Sequence, residues 1–182
     1  MTRSRRARRR LTGAVLLLAA VATASAMHDA TPTGFLVNVT PSAPLGLWKV
    51  LPLTRPVRAG DTVVFCPPPT PLFLEARGRG YLRRGLCPSE IAPLIKTIAA
   101  VGGQITTIGE DVRVDGVRLR SSRVYQTDGS NRPLSAAKGG LVPEGYVFLY
   151  SSFERSWDSR YFGPVPLGAL VGFAQEALTY AP

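Results

Sequence analysis

An uncharged apolar segment directly behind a block of arginines constrains this chain more than any other feature. Six of the first ten residues are arginines, and residues 11–27 carry no charge. A positive flank before an apolar run is typical of an exported protein whose arginines stay in the cytoplasm. We therefore expect residues 28–182 to fold outside the cytoplasm as one domain.

The apolar segment itself has two interpretations. Residues 11–27 are slightly long for the apolar part of a signal peptide and slightly short for a spanning helix of ~20 residues. Ala24, Ser25 and Ala26 resemble a small-residue cleavage site, which favours removal. We favour a retained membrane anchor preceded by a basic cytoplasmic region at residues 1–10, and a cleaved signal sequence stays the alternative.

The remaining composition favours a mainly β fold. The 18 glycines and 16 prolines are spread without a period, which is typical of short strands and turns. We predict strands at residues 35–39, 62–65, 146–150 and 169–174, and a hairpin at 112–119 around Asp115 and Gly116. The apolar run 95–101 is too short for a helix assignment. Beyond residues 11–27, no 3.6-residue period is long enough for a major helix.

The charge does not indicate a nucleic-acid partner. The net charge is +10, and without the six N-terminal arginines it falls to +4. The rest of the chain contains no aromatic RNA-binding motif and no basic recognition helix. We expect a protein substrate and a membrane as partners, and no nucleic acid.

Cys66 and Cys87 are the two cysteines of the chain. An even, low count in an exported protein favours one disulfide, here closing a Pro- and Arg-rich stretch with little periodicity of its own. Two unpaired buried thiols are the alternative. Neither cysteine has a histidine partner, so we do not expect a thiol protease.

Scarcity of histidine excludes common hydrolytic chemistries. His28 is the one histidine, and it lies beside the apolar segment. A Ser-His-Asp triad needs an imidazole at the nucleophile, and a catalytic zinc needs two or three His, Asp or Glu ligands. Neither site can be built here unless His28 folds back from the membrane boundary.

Lysine is almost as rare, and one lysine has an unusual environment. The chain has three lysines, Lys49, Lys96 and Lys138. Lys96 has apolar neighbours on both sides, and burial would lower its pKa towards a value at which the amine accepts a proton. A lysine at a strand edge that points to solvent is an equal alternative. For Lys49 and Lys138 a solvated role suffices.

Ser42 is the candidate nucleophile by its context. Pro41, Pro44 and Gly46 hold it in a bend directly after a predicted strand, where a side chain can be aimed and exposed. Thr40 offers a second hydroxyl nearby. By itself, a serine among prolines is more often a plain turn residue.

Several segments, in order, resemble the conserved boxes of bacterial type I signal peptidases, which are Ser-Lys enzymes. The matching segments are residues 40–48, 58–65 and 156–165. The two cysteines and residues 93–96 resemble in particular the TraF-type signal peptidases of conjugative plasmid transfer. Together these segments extend over roughly residues 35–175. The resemblance implies a signal-peptidase-like β-barrel or sheet catalytic domain behind an N-terminal hydrophobic membrane helix.

The resemblance also implies roles for individual residues. Ser42 would attack the scissile carbonyl, and Lys96 would take its proton. The Ser42 amide and the Thr40 hydroxyl would form the oxyanion hole, and Ser156 would orient the Lys96 amine. Asp158, paired with Arg160, would hold its strand against the site; a purely structural ion pair is the alternative.

The chain also departs from the general pattern. Thr97 stands where general signal peptidases carry Arg, and residues 102–104 replace their Pro-Gly-Asp turn. Residues 151–153 replace a Gly-Asp-Asn sequence. These differences spare the Ser-Lys pair but favour a specialised substrate over the cleavage of many secretory precursors.

The resemblance implies an endopeptidase that cleaves an exported precursor, a conjugative pilin in the TraF group, with cyclisation as one outcome. No cofactor or metal is expected. The location implied is the bacterial inner membrane with the catalytic domain in the periplasm, or a soluble periplasmic form after cleavage. A general type I signal peptidase and a non-catalytic accessory protein of a secretion or conjugation channel stay as alternatives.

Overall fold

The computed structural model describes residues 34–181, and these residues form two antiparallel sheets. The strands are β1 (Phe35–Asn38), β2 (Leu45–Leu51), β3 (Thr62–Phe65), β4 (Leu94–Val101), β5 (Ile105–Ile108), β6 (Val112–Val114), β7 (Val117–Arg118), β8 (Gly140–Leu141), β9 (Tyr146–Tyr150), β10 (Val165–Pro166) and β11 (Leu170–Tyr180). The larger sheet has the order β1-β2-β11-β3-β4-β9-β10, and the smaller has the order β7-β6-β5-β8. The smaller sheet is thus an insertion between β4 and β9.

The mainly β prediction is confirmed, and the hairpin was predicted with its turn. β6 and β7 pair across Asp115 and Gly116, whose φ angles are 48° and 80°. Two successive positive φ values are those of a type I′ turn, which suits an Asp-Gly pair. The apolar run that we left unassigned is β4.

Several strands were missed. β2, β5, β8 and β10 had no predicted counterpart, and β11 extends to Tyr180 rather than ending at residue 174. β11 lies between β2 and β3 and pairs with both of them. Strand β2 begins within the predicted bend because Gly46, at a φ of 120°, lets the backbone of β11 approach too closely for a side chain.

The segment between the cysteines is more ordered than we expected. It contains helix α1 (Pro71–Gly78), which begins at Pro71, a residue type suited to the first turn of a helix. The helix buries Phe73 and Ala76 in the core. The predicted disulfide is confirmed, because Cys66 and Cys87 are bonded across 21 residues. A second helix, α2 (Ser159–Phe162), lies within the segment that resembles the last signal-peptidase box.

The central strands of the larger sheet are buried on both faces. Val63 and Ile98 belong to a cluster on one face, and Val64 and Ile95 to a cluster on the other. Since side chains alternate along a strand, a polar residue at the middle of β4 has to enter one of these clusters.

The predicted basic region 1–10, the apolar segment 11–27 and His28 lie outside the described residues. Within residues 34–181, none of the helices is long and apolar enough to cross a membrane.

Candidate active site

Lys96 is a buried lysine on a central strand. Its side chain is 4% exposed, and it pairs across the sheet with Val63, which is fully buried. The ammonium therefore has almost no contact with water. The solvent-facing alternative for Lys96 is wrong, whereas Lys49 and Lys138 are exposed as expected.

Burial changes the acidity of this amine. Desolvation is the largest influence and lowers the pKa of Lys96 from 10.5 to about 8, while nearby Asp158 raises the pKa and Arg160 lowers it. Lys96 Nζ donates a hydrogen bond to Ser156 Oγ at 2.6 Å. Ser156 is itself 3% exposed, so this bond fixes the amine in a dry environment.

Ser42 lies in a turn that Asn38 organises. The Asn38 side chain donates to the carbonyl oxygens of Thr40, Ala43 and Pro44 at 2.9–3.0 Å. Its Oδ1 accepts from the Thr40 backbone N–H at 3.1 Å. One amide side chain therefore supplies the hydrogen bonds that the bend between β1 and β2 cannot make within a ladder.

Thr40 and Ser42 bring two hydroxyls together, with Thr40 Oγ1 at 3.5 Å from Ser42 Oγ. Thr40 Oγ1 donates its proton to Asn38 Oδ1 at 2.9 Å. In this state the Thr40 hydroxyl can only accept from Ser42. The Ser42 backbone N–H makes no backbone hydrogen bond among the described residues, so it is free to donate to a ligand.

One cavity of about 240 Å³ joins these groups. Thr40, Ser42, Lys96 and Ser156 all line it. Most of its other walls are apolar, and they include Leu36, Val37, Val39, Leu82, Leu94 and Trp157. Ser42 Oγ and Lys96 Nζ are not hydrogen-bonded to each other, but both face the same space.

Asp158 and Arg160 form a fully buried ion pair next to the cavity, without lining it. Arg160 Nε and one terminal nitrogen each donate to a carboxylate oxygen of Asp158 at 2.8 Å. Its terminal nitrogens also donate to five backbone carbonyls, those of Arg123, Ser151, Phe153, Glu154 and Ser156. The predicted pairing is confirmed, and its contacts hold the loop 151–157 rather than the cavity itself.

Ser151 connects this loop to the nucleophile turn. Its Oγ donates to the Ser42 carbonyl at 2.6 Å, and its backbone N–H donates to Asp158 Oδ2 at 3.0 Å. Ser151 is 4% exposed, so water does not compete for these bonds. The loop thus contacts both halves of the site, through Ser151 to Ser42 and through Ser156 to Lys96.

Sequence reasoning missed Asn38 and Ser151. Asn38 had a local signal, since an Asn two residues before a Thr at a strand end is suited to a side-chain-capped turn. Ser151 had none, because its partner lies 109 residues away.

Comparison with known proteins identifies the family. The profile "Signal peptidase, peptidase S26" matches residues 8–179. The chain belongs to this family. Among solved structures, the crystal structure of a signal peptidase I from Enterococcus faecalis V583 superposes with a TM-score of 0.40 at 21% identity, covering 65% of this chain and 97% of that one.

Relatives with a conjugation name are much more similar in sequence. A probable conjugal transfer protein TraF from Sinorhizobium fredii is 51% identical over all of this chain and 95% of its own length. The conjugal transfer protein TraF from Agrobacterium tumefaciens is 49% identical over 99% of both chains. A plasmid transfer protein TraF from Escherichia coli is 36% identical over 92% of both chains.

Proposed function

We propose that this chain is a serine endopeptidase with a Ser-Lys pair, in which Ser42 is the nucleophile and Lys96 the general base. One observation carries the proposal. A buried amine with a pKa of about 8 lines the same small cavity as a serine hydroxyl held in a tight turn. A neutral amine accepts a proton from a hydroxyl, which a guanidinium cannot do.

Acylation follows from this arrangement. Ser42 Oγ attacks the scissile carbonyl carbon, and its proton passes to Lys96 Nζ. The resulting ammonium then protonates the leaving amine, and an ester to Ser42 remains. Ser156 keeps the amine aimed at the cavity, and the substrate closes the remaining gap, since catalytic hydrogen bonds often tighten only when substrate is bound.

Two donors are available for the oxyanion. The Ser42 backbone N–H has no backbone partner among residues 34–181, and the Thr40 hydroxyl becomes a donor once it turns away from Asn38. Loss of one such donor typically costs ~2.7–4 kcal/mol of transition-state stabilisation. In the proposed mechanism Thr40 therefore changes partner between the resting and the reacting state.

The substrate that we propose is a conjugative pilin precursor. This proposal is supported by two relatives that are 49–51% identical to the chain and are named conjugal transfer proteins. The mostly apolar walls of the cavity of about 240 Å³ suit small uncharged side chains before the bond. Water or the precursor's own amine can resolve the ester, and the second route gives a cyclic pilin. We place the reaction in the periplasm, with the chain anchored in the inner membrane.

Mass spectrometry of the precursor tests the proposal. The candidate pilin is produced with the wild-type chain, with Ser42→Ala, with Lys96→Ala, or with Lys138→Ala as the matched control at an exposed lysine. We expect processing with the wild type and the control only. A cyclic product is one water lighter than the hydrolysed one, so the same spectra separate hydrolysis from cyclisation.

Two outcomes would contradict the proposal. Full processing by Ser42→Ala would indicate a non-catalytic accessory protein of the transfer channel. Rescue of a conditional signal-peptidase mutant, without any pilin processing, would indicate a general type I signal peptidase.

A further inference from the structure

We propose that Arg83 and Arg155, two exposed arginines that line the Ser42 cavity, bind a carboxylate of the substrate close to the scissile bond. This inference rests on the proposed peptidase function and adds a substrate class to it. The preferred substrate carries an Asp or Glu side chain, or a terminal carboxylate, within a few residues of the cleaved bond.

Arg83 is presented by a rigid part of the disulfide-closed segment. Residues 83–92 fold back on themselves, because the Arg83 carbonyl accepts from Ala92 N–H at 2.8 Å and the Ile91 carbonyl from Cys87 N–H at 3.1 Å. Cys87 is in turn bonded to Cys66. The Arg83 side chain makes no hydrogen bond or ion pair with the described residues, so its donors are available. A fixed backbone reduces the entropy lost when such a side chain binds.

Arg155 is oriented by an aromatic ring. Its guanidinium lies 5.0 Å from the ring centroid of Tyr125, within the range of a cation–π contact. Tyr125 is held in place, because its hydroxyl donates to Glu154 at 3.0 Å and its backbone N–H donates to Tyr161. Arg155 has no carboxylate partner among residues 34–181, so the contact orients the cation without neutralising it.

The cavity contains no balancing negative charge. None of the described residues that line it is an Asp or a Glu. The carboxylates of neighbouring residues already have partners: Asp128 accepts from Tyr81 and Arg132, Glu90 pairs with Arg77, and Glu154 accepts from the Tyr125 hydroxyl. A cleft lined by charges of one sign concentrates its field and attracts the opposite charge. Beside Arg83 and Arg155, an acidic group of the substrate is therefore favoured over a neutral or basic one.

A binding assay on the inactive chain tests this inference separately from catalysis. Full-length Ser42→Ala in detergent is titrated with labelled alanine-rich peptides that carry Glu, Gln or Lys at one position near a central Ala-Ala bond. We expect one or more Glu peptides to bind about 5–10-fold more tightly than the matched Gln peptides. The preference should vanish at 1 M salt, where screening acts within ~3 Å.

Charge reversal identifies the arginines responsible. Arg83→Glu with Arg155→Glu should remove the preference for Glu and create one for Lys. The matched control is Arg84→Glu with Arg120→Glu, which changes the net charge equally at exposed arginines outside the cavity. The control should keep the preference for Glu.

Three results would overturn the inference. The first is equal binding of Glu and Gln peptides, and the second is an equal loss of preference in the control. The third is that Arg83→Glu with Arg155→Glu loses binding to phosphatidylglycerol vesicles while the parent Ser42→Ala chain shows no peptide preference. The last result would assign the arginines to the membrane surface. If the wild-type chain cleaved no substrate, the Ser-Lys proposal would be contradicted instead. The peptide-binding data would still decide whether Arg83 and Arg155 bind a carboxylate.

Discussion

Replacing Lys96 with Met tests how much stability the buried amine costs. Met has nearly the same length and no charge, so it keeps the packing on β4 while removing the ammonium. The pKa of Lys96 is about 8 in the folded chain, against an ordinary value of 10.5. That difference means that the charged form of Lys96 destabilises the folded chain by about 3 kcal/mol.

The sign follows from proton binding. Below pH 8 the amine is protonated in both states, so the penalty is constant. Between about pH 8 and 10.5 the unfolded chain binds more protons at this residue than the folded chain does, so stability rises with pH by ~1.4 kcal/mol per unit. Lys96→Met lacks this rise. We therefore expect wild type to gain about 3 kcal/mol relative to the variant between pH 7 and pH 10.5.

Urea unfolding of both full-length proteins in detergent, at pH 7, 8, 9, 10 and 10.5, measures this difference. Tyrosine ionisation affects both proteins equally and cancels. In Lys96→Met, Ser156 loses its amine partner. This loss changes the unfolding free energy of the variant by the same amount at every pH, so the slope against pH is unchanged. Lys138→Met is the control, because an exposed lysine should show no such slope. A flat difference between wild type and Lys96→Met would refute the claim that the amine is desolvated.

Three further predictions concern the Lys96 amine, the Ser151 hydrogen bond and the disulfide. Single-turnover acylation should rise about tenfold per pH unit below about pH 8 and then level off, since the neutral Lys96 amine is the base; a rate independent of pH between 6 and 8 would contradict this. Ser151→Ala should lower kcat by about 5–30-fold with little change in KM, because the bond to the nucleophile turn is lost, whereas exposed Ser152→Ala should match wild type in the same steady-state assay. Replacing Cys66 and Cys87 by Ser should reduce the unfolding free energy by ~3 kcal/mol on the chain-entropy model, and an unchanged urea midpoint would count against a stabilising disulfide.

The sequence was informative mainly where the signal was local, although the local signal of Asn38 was missed. Alternation around Asp115 and Gly116 predicted a hairpin because turn chemistry and strand period agree within a few residues. The apolar neighbours of Lys96 were equally compatible with burial and with a solvent-facing strand edge, and Lys96 is buried because β4 is covered on both faces. Two cysteines in an exported chain indicated the disulfide.

What the sequence could not predict depends on distant partners. β2 was hidden by the prolines before it, and one of its two partners, β11, lies at the other end of the described chain. The bond from Ser151 to the Ser42 carbonyl joins residues 109 apart, and the bond from Lys96 to Ser156 joins residues 60 apart. Such contacts are set by sheet order, which no local pattern encodes.

The buried pair of Asp158 and Arg160 is better explained by the site than by stability. Desolvating two charges costs several kcal/mol per ion, and apolar replacements of similar pairs are often neutral or stabilising. An apolar pair here would leave five backbone carbonyls and the Ser151 N–H without their partners. Those groups fix the loop whose Ser151 and Ser156 reach the two halves of the cavity. The ion pair therefore stabilises the loop that keeps the Ser42 hydroxyl and the Lys96 amine facing the same cavity.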